Sequence, residues 1–114
     1  MYNLIINIHN YLFYFQIKEY PISVARITTI IYKSQEAAEN ASASYVENSP
    51  NDFPEAEQLL SIKADGNKLI FVSLYADNEA MERASASRKK NLDSNQEFIS
   101  VDASVGTVEI NHTN

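Results

Sequence analysis

A thirteen-residue run occurs twice in this chain. Glu36-Ala-Ala-Glu-Asn-Ala-Ser-Ala-Ser-Tyr-Val-Glu-Asn48 lies over Glu79-Ala-Met-Glu-Arg-Ala-Ser-Ala-Ser-Arg-Lys-Lys-Asn91 at a spacing of 43, with eight of thirteen positions identical. The same offset brings Ile27 onto Ile70, Ile31 onto Leu74 and Tyr32 onto Tyr75, in the segment ahead of each run. Ala and Ser are common in helices and account for part of the match. The register of the preceding segments carries it beyond composition. Solenoids need at least three repeats, so two copies predict a pseudo-twofold domain instead. At 114 residues the chain is the size of one domain and buries enough surface for a single core.

The elements follow from local chemistry. Ser23–Lys33 is β-branched and aromatic (Val24, Ile27, Thr28, Thr29, Ile30, Ile31, Tyr32) and predicts a strand. Ser34 offers an N-cap to a helix reaching about Glu47, and the stretch Asn48–Pro54, with two prolines, reads as a loop. Leu59–Ala64 predicts a second strand, Asp65-Gly66 a hairpin turn, and Lys68–Ala76 a third strand. Asp77 or Asn78 caps a second helix to about Leu92, with Arg88-Lys89-Lys90 in its last turns as the macrodipole prefers. A short helical or irregular stretch near Gln96–Val101 and a final strand around Thr107–Asn111 complete the order. The expected fold is α+β, a ferredoxin-like β-α-β-β-α-β antiparallel sheet with helices on one face.

Alternation gives each strand two faces. Ala25, Ile27, Thr29, Ile31 and Ile70, Val72, Leu74 form aliphatic sets expected to meet the helices, which offer Ala38, Ala41, Tyr45 and Ala80, Ala84, Ser87. The opposite sets hold Ile30, Tyr32, Leu69, Phe71 and Tyr75, which belong under cover. Leaving such side chains wet costs about 1.5–3 kcal/mol each. Two covers are open: a second copy of the sheet, giving a homodimer, or the chain's own first twenty residues.

Those residues are compositionally distinct, crowding Leu4, Ile5, Ile6, Ile8, Tyr11, Leu12, Phe13, Tyr14, Phe15 and Ile17 into a short stretch. Asn3, Asn7, His9, Asn10 and Gln16 interrupt it, and its first basic residue is Lys18, so it reads as neither a membrane span nor a secretory signal. Residues 1–21 are expected to be a leader, whether an added element, a helper of oligomerisation or an extension the fold does not need; residues 22–114 are the domain. With nine basic and fifteen acidic residues the chain carries a net charge of −6, which opposes a nucleic-acid partner. The absence of cysteine removes disulfides, thiolate metal sites and cysteine nucleophiles. The expected setting is cytoplasmic, with no membrane partner.

The order of elements, together with Val24–Lys33, Phe53-Pro54-Glu55-Ala56-Glu57-Gln58-Leu59-Leu60-Ser61, Leu69–Tyr75 and Asp77-Asn78-Glu79-Ala80, resembles the dimeric α/β-barrel superfamily, in particular its antibiotic-biosynthesis-monooxygenase-like domains. The likeness covers about Ser23 to Ile110. It implies a homodimer packed sheet to sheet. It also implies a small-molecule enzyme similar to cofactor-independent monooxygenases, acting on a small aromatic or quinol-like substrate. The alternative is a non-catalytic ligand-binding or stress-associated homodimer, since the superfamily hosts several functions. Many members carry an acidic residue and a tryptophan two apart on the third strand, where this chain has Ser73 and Tyr75, and a histidine on the following helix, where it has Ala84. No catalytic residue is therefore carried over.

The candidate ligand-binding residues are Arg26, Tyr32, Phe71, Ser73 and Tyr75. Arg26 can hold an anionic ligand, pair with a carboxylate such as Glu109, or snorkel at an edge. Tyr32 and Tyr75 can donate hydrogen bonds to a carbonyl or quinone oxygen, or pack at an interface with satisfied hydroxyls. His9 and His112 offer little for haem or imidazole chemistry. Asp52, Glu55 and Glu57 match no calcium-loop spacing. No metal or other cofactor is expected, and any reaction would rest on enclosure and positioned polar groups.

Overall fold

The computed structural model describes residues 22–114 and, as backbone, two earlier strands, β1 (Tyr2–Ile8) and β2 (Tyr11–Ile17). These pair antiparallel as a separate two-stranded sheet, with Tyr2 opposite Ile17 and Ile8 opposite Tyr11. His9 and Lys18 lie outside the described residues.

The main sheet has the order β4-β5-β3-β6, all antiparallel, from β3 (Val24–Tyr32), β4 (Ala56–Lys63), β5 (Lys68–Tyr75) and β6 (Phe98–Thr107). Helix α1 (Gln35–Asp52) joins β3 to β4, while α2 (Asn78–Arg83) and α3 (Ser85–Ser94) join β5 to β6. This is the expected ferredoxin-like β-α-β-β-α-β order. The sequence repeat is a symmetry of its two central strands. Val24 stands opposite Tyr75, and the 43-residue offset carries that pair onto Asn67 and Tyr32. There the Tyr32 N–H donates to the Asn67 carbonyl at 2.8 Å, and the Asn67 amide donates back to the Tyr32 carbonyl. Gly66, at φ 70°, closes the β4–β5 hairpin in the left-handed region, where a Cβ costs about 1–2 kcal/mol.

Both expected N-caps form. The Ala37 N–H donates to Ser34 Oγ at 3.0 Å, and the Ala80 N–H to Asp77 Oδ1 at 2.8 Å. Three expectations need correction. Helix α1 does not stop at Glu47 but runs through Pro50 to Asp52. Pro50 sits in the last turn and forgoes the N–H bond to the Val46 carbonyl, a loss confined to the helix end; the Phe53 N–H closes that end on the Ser49 carbonyl at 2.9 Å, with Phe53 anchored in the core. The second helix is two helices, tightened at Ala84, whose N–H reaches both Ala80 and Met81 carbonyls while its side chain is fully buried. Because α3 continues to Ser94, Arg88-Lys89-Lys90 is not its last turn. The final strand is Phe98–Thr107, earlier than expected; Val101, Ala103 and Val105 alternate there as a strand requires.

The two sheet faces are the reverse of the sequence expectation. Val24, Thr28, Ile30, Tyr32, Leu69, Phe71 and Tyr75 are buried, in core clusters with Ala38 and Ala41 of α1 and with Ala80 and Ala84. The physical reason is volume. Helices presenting alanines leave room against the sheet that only large side chains fill, so the aromatic set goes under them. The aliphatic set faces away, although Leu74 within it is buried. Ile27 is 46% exposed, and beside it Leu60 is 46% and Ile62 44% exposed. On the same face by register lie Ile31, Ile70 and Val72. That face is apolar across β4, β5 and β3 and turns polar on β6, where Ser100, Asp102 and Ser104 stand opposite Ile31, Thr29 and Ile27.

Candidate functional site

The large side chains do not fill the space under the helices completely. A cavity of about 70 Å³ remains between the sheet and the helices α1 and α3. Its floor is Arg26, Thr28, Ile30 and Tyr32 of β3 with Phe71, Ser73 and Tyr75 of β5. Ala41, Ser44 and Tyr45 of α1 and Phe53 form one wall. Arg88, Asn91, Leu92 and Ser94 of α3, with Asn95, form the other wall and the rim. The Tyr45 ring spans the interior, 4.4 Å between centroids from Phe71 and 6.2 Å from Phe53.

All five candidate residues therefore line one cavity, although at different ends of it. Tyr32 and Tyr75 are repeat mates on antiparallel strands, so the twofold sends them to opposite ends: Tyr75 lies across from Val24, eight residues from Tyr32. Strand rise makes that about 26 Å along the chain, too far for one ligand oxygen to meet both hydroxyls. Tyr32 packs with Ile30 and Leu69 at the apolar end. Arg26 and Ser73, opposite one another on β3 and β5, belong to the polar end with Tyr75.

Arg88 is the charged lining residue that the sequence does not single out. Its guanidinium reaches into the cavity and donates from Nη2 to Thr28 Oγ1 at 3.5 Å. Two signals pointed to it: it follows the buried Ala84 by four residues, and the repeat aligns it with Tyr45, which was expected on a buried helix face. In the sequence it reads as part of a basic run that the helix C-terminus explains. Burial lowers its proton affinity, the nearby Arg26 charge lowers it further, and Tyr75 partly offsets both. The Tyr45 phenol is pushed up by burial, eased by a hydrogen bond with Ser73, and pushed up again by Tyr75. Burial alone raises Tyr32. Both phenols thus remain protonated hydrogen-bond donors at neutral pH.

The Arg26–Glu109 pair is not formed. The ion pairs among the described residues are Lys33–Glu97, Lys63–Glu39 and Lys89–Asp93, none in the cavity. Among the described residues no three His, Asp or Glu side chains converge as metal ligands, and no helix is long and apolar enough to cross a membrane. His112 is exposed in the tail, away from the cavity.

No family model matches this sequence, and no curated protein matches it. Solved structures do. A dimeric ferredoxin-like protein from an uncultured marine organism superposes with a TM-score of 0.66 at 11% identity, over 82% of this chain and 93% of that one. SnoaB of Streptomyces nogalater, a cofactor-independent oxygenase, gives 0.62 at 14% identity, over 78% of this chain and 95% of its own. The ActVA-Orf6 monooxygenase of Streptomyces coelicolor, solved with the ligand nanaomycin D, gives 0.61 at 12% identity, over 82% and 93%. The fold expected from the repeat and the strand pattern is therefore the one that this chain shares with antibiotic-biosynthesis-monooxygenase-like, ferredoxin-like proteins.

Proposed function

We propose that residues 22–114 form a cytoplasmic homodimeric domain whose cavity binds one small hydroxyaromatic or quinol-like molecule. The observation that carries this reading is the cavity itself, with aromatic walls at Phe53, Phe71 and Tyr45 and a polar end at Arg26, Ser73, Tyr75 and Arg88. Apolar walls with a few convergent polar groups are what small-molecule sites offer. At about 70 Å³ the space is smaller than the roughly 150 Å³ that admits benzene in an engineered cavity. Binding on this reading moves the α3 wall outward. That wall gives readily, because α3 has no buried residue and only Leu92, Asn91 and neighbouring side chains close it. The open face, with Ile27, Leu60 and Ile62 half-exposed, is the proposed dimer interface, as it is too apolar to stand in water.

Oxygenation is a second reading, favoured by the fold shared with SnoaB and ActVA-Orf6. Among the described residues the cavity lining contains no carboxylate and no imidazole to take a proton. The chain's contribution would be to bind the deprotonated hydroxyaromatic beside Arg26 and Arg88 and to exclude bulk water while it reduces oxygen directly. Calorimetric titration of the intact protein with a panel of phenols, hydroquinones and naphthols tests binding, and an oxygen electrode tests turnover. Micromolar to millimolar binding, lost in Phe71→Trp, supports the cavity as the site. Binding unchanged by that filling substitution refutes it. Oxygen uptake reduced in Tyr75→Phe or Arg26→Ala supports the second reading, and its absence across the panel leaves a binding domain.

A further inference from the structure

The chain has three arginines, and two of them, Arg26 and Arg88, come together on one cavity of a protein whose net charge is −6. They arrive from different elements, β3 and α3, so no single local motif forces the pairing. Like charges in a partly buried space repel, and such a pair is ordinarily held by an acidic side chain between them. Among the described residues no residue of the lining is acidic, and neither arginine joins an ion pair. The neighbouring groups are neutral and hydroxylic: Thr28, Tyr45, Ser73 and Tyr75, with the amides of Asn91 and Asn95 at the rim.

We infer that the polar end of the cavity is a carboxylate site, at which Arg88 and Arg26 grip the acid group of a one-ring aromatic acid while the Phe71 and Tyr45 rings hold its apolar body. The inference rests on the cavity being a ligand site, and it names the ligand class. A guanidinium presents paired N–H donors in a plane that matches the two oxygens of a carboxylate, and an anion between two guanidiniums removes their mutual repulsion. Hydroxyl groups at Ser73 and Tyr75 supply further donors. Burial first and repulsion from Arg26 second depress the proton affinity of Arg88, and an incoming anion would relieve the repulsion.

The test is calorimetric titration of the full-length protein with 4-hydroxybenzoate and with its neutral near-isostere 4-hydroxybenzamide, repeated for Arg88→Gln and Arg26→Gln. The expected result is at least tenfold tighter binding of the acid by the parent protein, shrinking to twofold or less in Arg88→Gln. Raising the salt concentration should weaken the acid and leave the amide unchanged. If the amide binds as well as the acid, the carboxylate site is refuted and the cavity remains a ligand site. If neither binds, the cavity reading fails and the inference fails with it. If the acid is preferred equally by the parent and both variants, the assignment to the arginines is wrong. The parent's acid-to-amide ratio and its salt dependence decide the matter even where a variant does not fold.

Discussion

Replacing Ile27 by aspartate separates the two jobs of the sheet. Ile27 lies in the middle of β3, opposite Val72 on β5 and Ser104 on β6, with its side chain 46% exposed in the single subunit. Roughly half of its surface is already wet, so losing the rest forfeits about 1 kcal/mol, half the value of full burial. The poor fit of aspartate in a strand adds up to about 1 kcal/mol. The subunit therefore keeps its fold. In a sheet-to-sheet dimer the same carboxylate has no partner and costs about 3–5 kcal/mol to bury. Twofold symmetry places two of them in one interface, for a total of about 6–10 kcal/mol. At 1.4 kcal/mol per power of ten, the dissociation constant rises by about four powers of ten or more. Sedimentation velocity at micromolar concentration should find the parent at twice 12.9 kDa and Ile27→Asp at 12.9 kDa, both with the same far-ultraviolet dichroism. Asn40→Asp places the same charge on the exposed side of α1 and should leave the dimer intact. An Ile27→Asp protein that stays dimeric, or a parent that is a single particle of 12.9 kDa at every concentration, refutes the reasoning.

Leu69→Ala removes a fully buried side chain from between Ile30, Tyr32, Ala38 and Phe71, and urea unfolding should show a loss of about 3–4 kcal/mol. Asp77→Ala takes away the acceptor for the Ala80 N–H and should cost about 1 kcal/mol by the same assay. Burial raises the Tyr32 and Tyr45 phenols in the folded protein, so the unfolded chain releases these protons first. Their contribution to stability is intact below the unfolded phenol pKa of about 10 and falls as pH climbs from there through the folded values. Melting temperatures across that alkaline window should decline less steeply in Tyr45→Phe than in the parent. A chain beginning at Ile22 should melt at the temperature of the full chain if residues 1–21 lie outside the domain core, and a fall of more than a few degrees would count against that boundary.

The repeat and the strand alternation determined the element order and set Arg26, Tyr32, Phe71, Ser73 and Tyr75 on one face of the sheet, because these depend on local pattern. Element ends were less legible. Pro50 in the last turn of α1 and the tight step at Ala84 are decided by what Phe53 and Ala84 reach in the core, which lies far away in sequence. The orientation of the sheet was beyond the pattern altogether. Both faces of β3 and β5 are apolar, so alternation separates two sets without saying which one meets the helices. That choice is a volume match between alanine-faced helices and aromatic strands, and it exists only once both are packed. For the same reason Arg88 reads as a surface charge in the sequence and becomes a cavity wall in the fold: α3 continues past it to Ser94, and the twofold sets it across from Tyr45, its counterpart in the other half of the repeat.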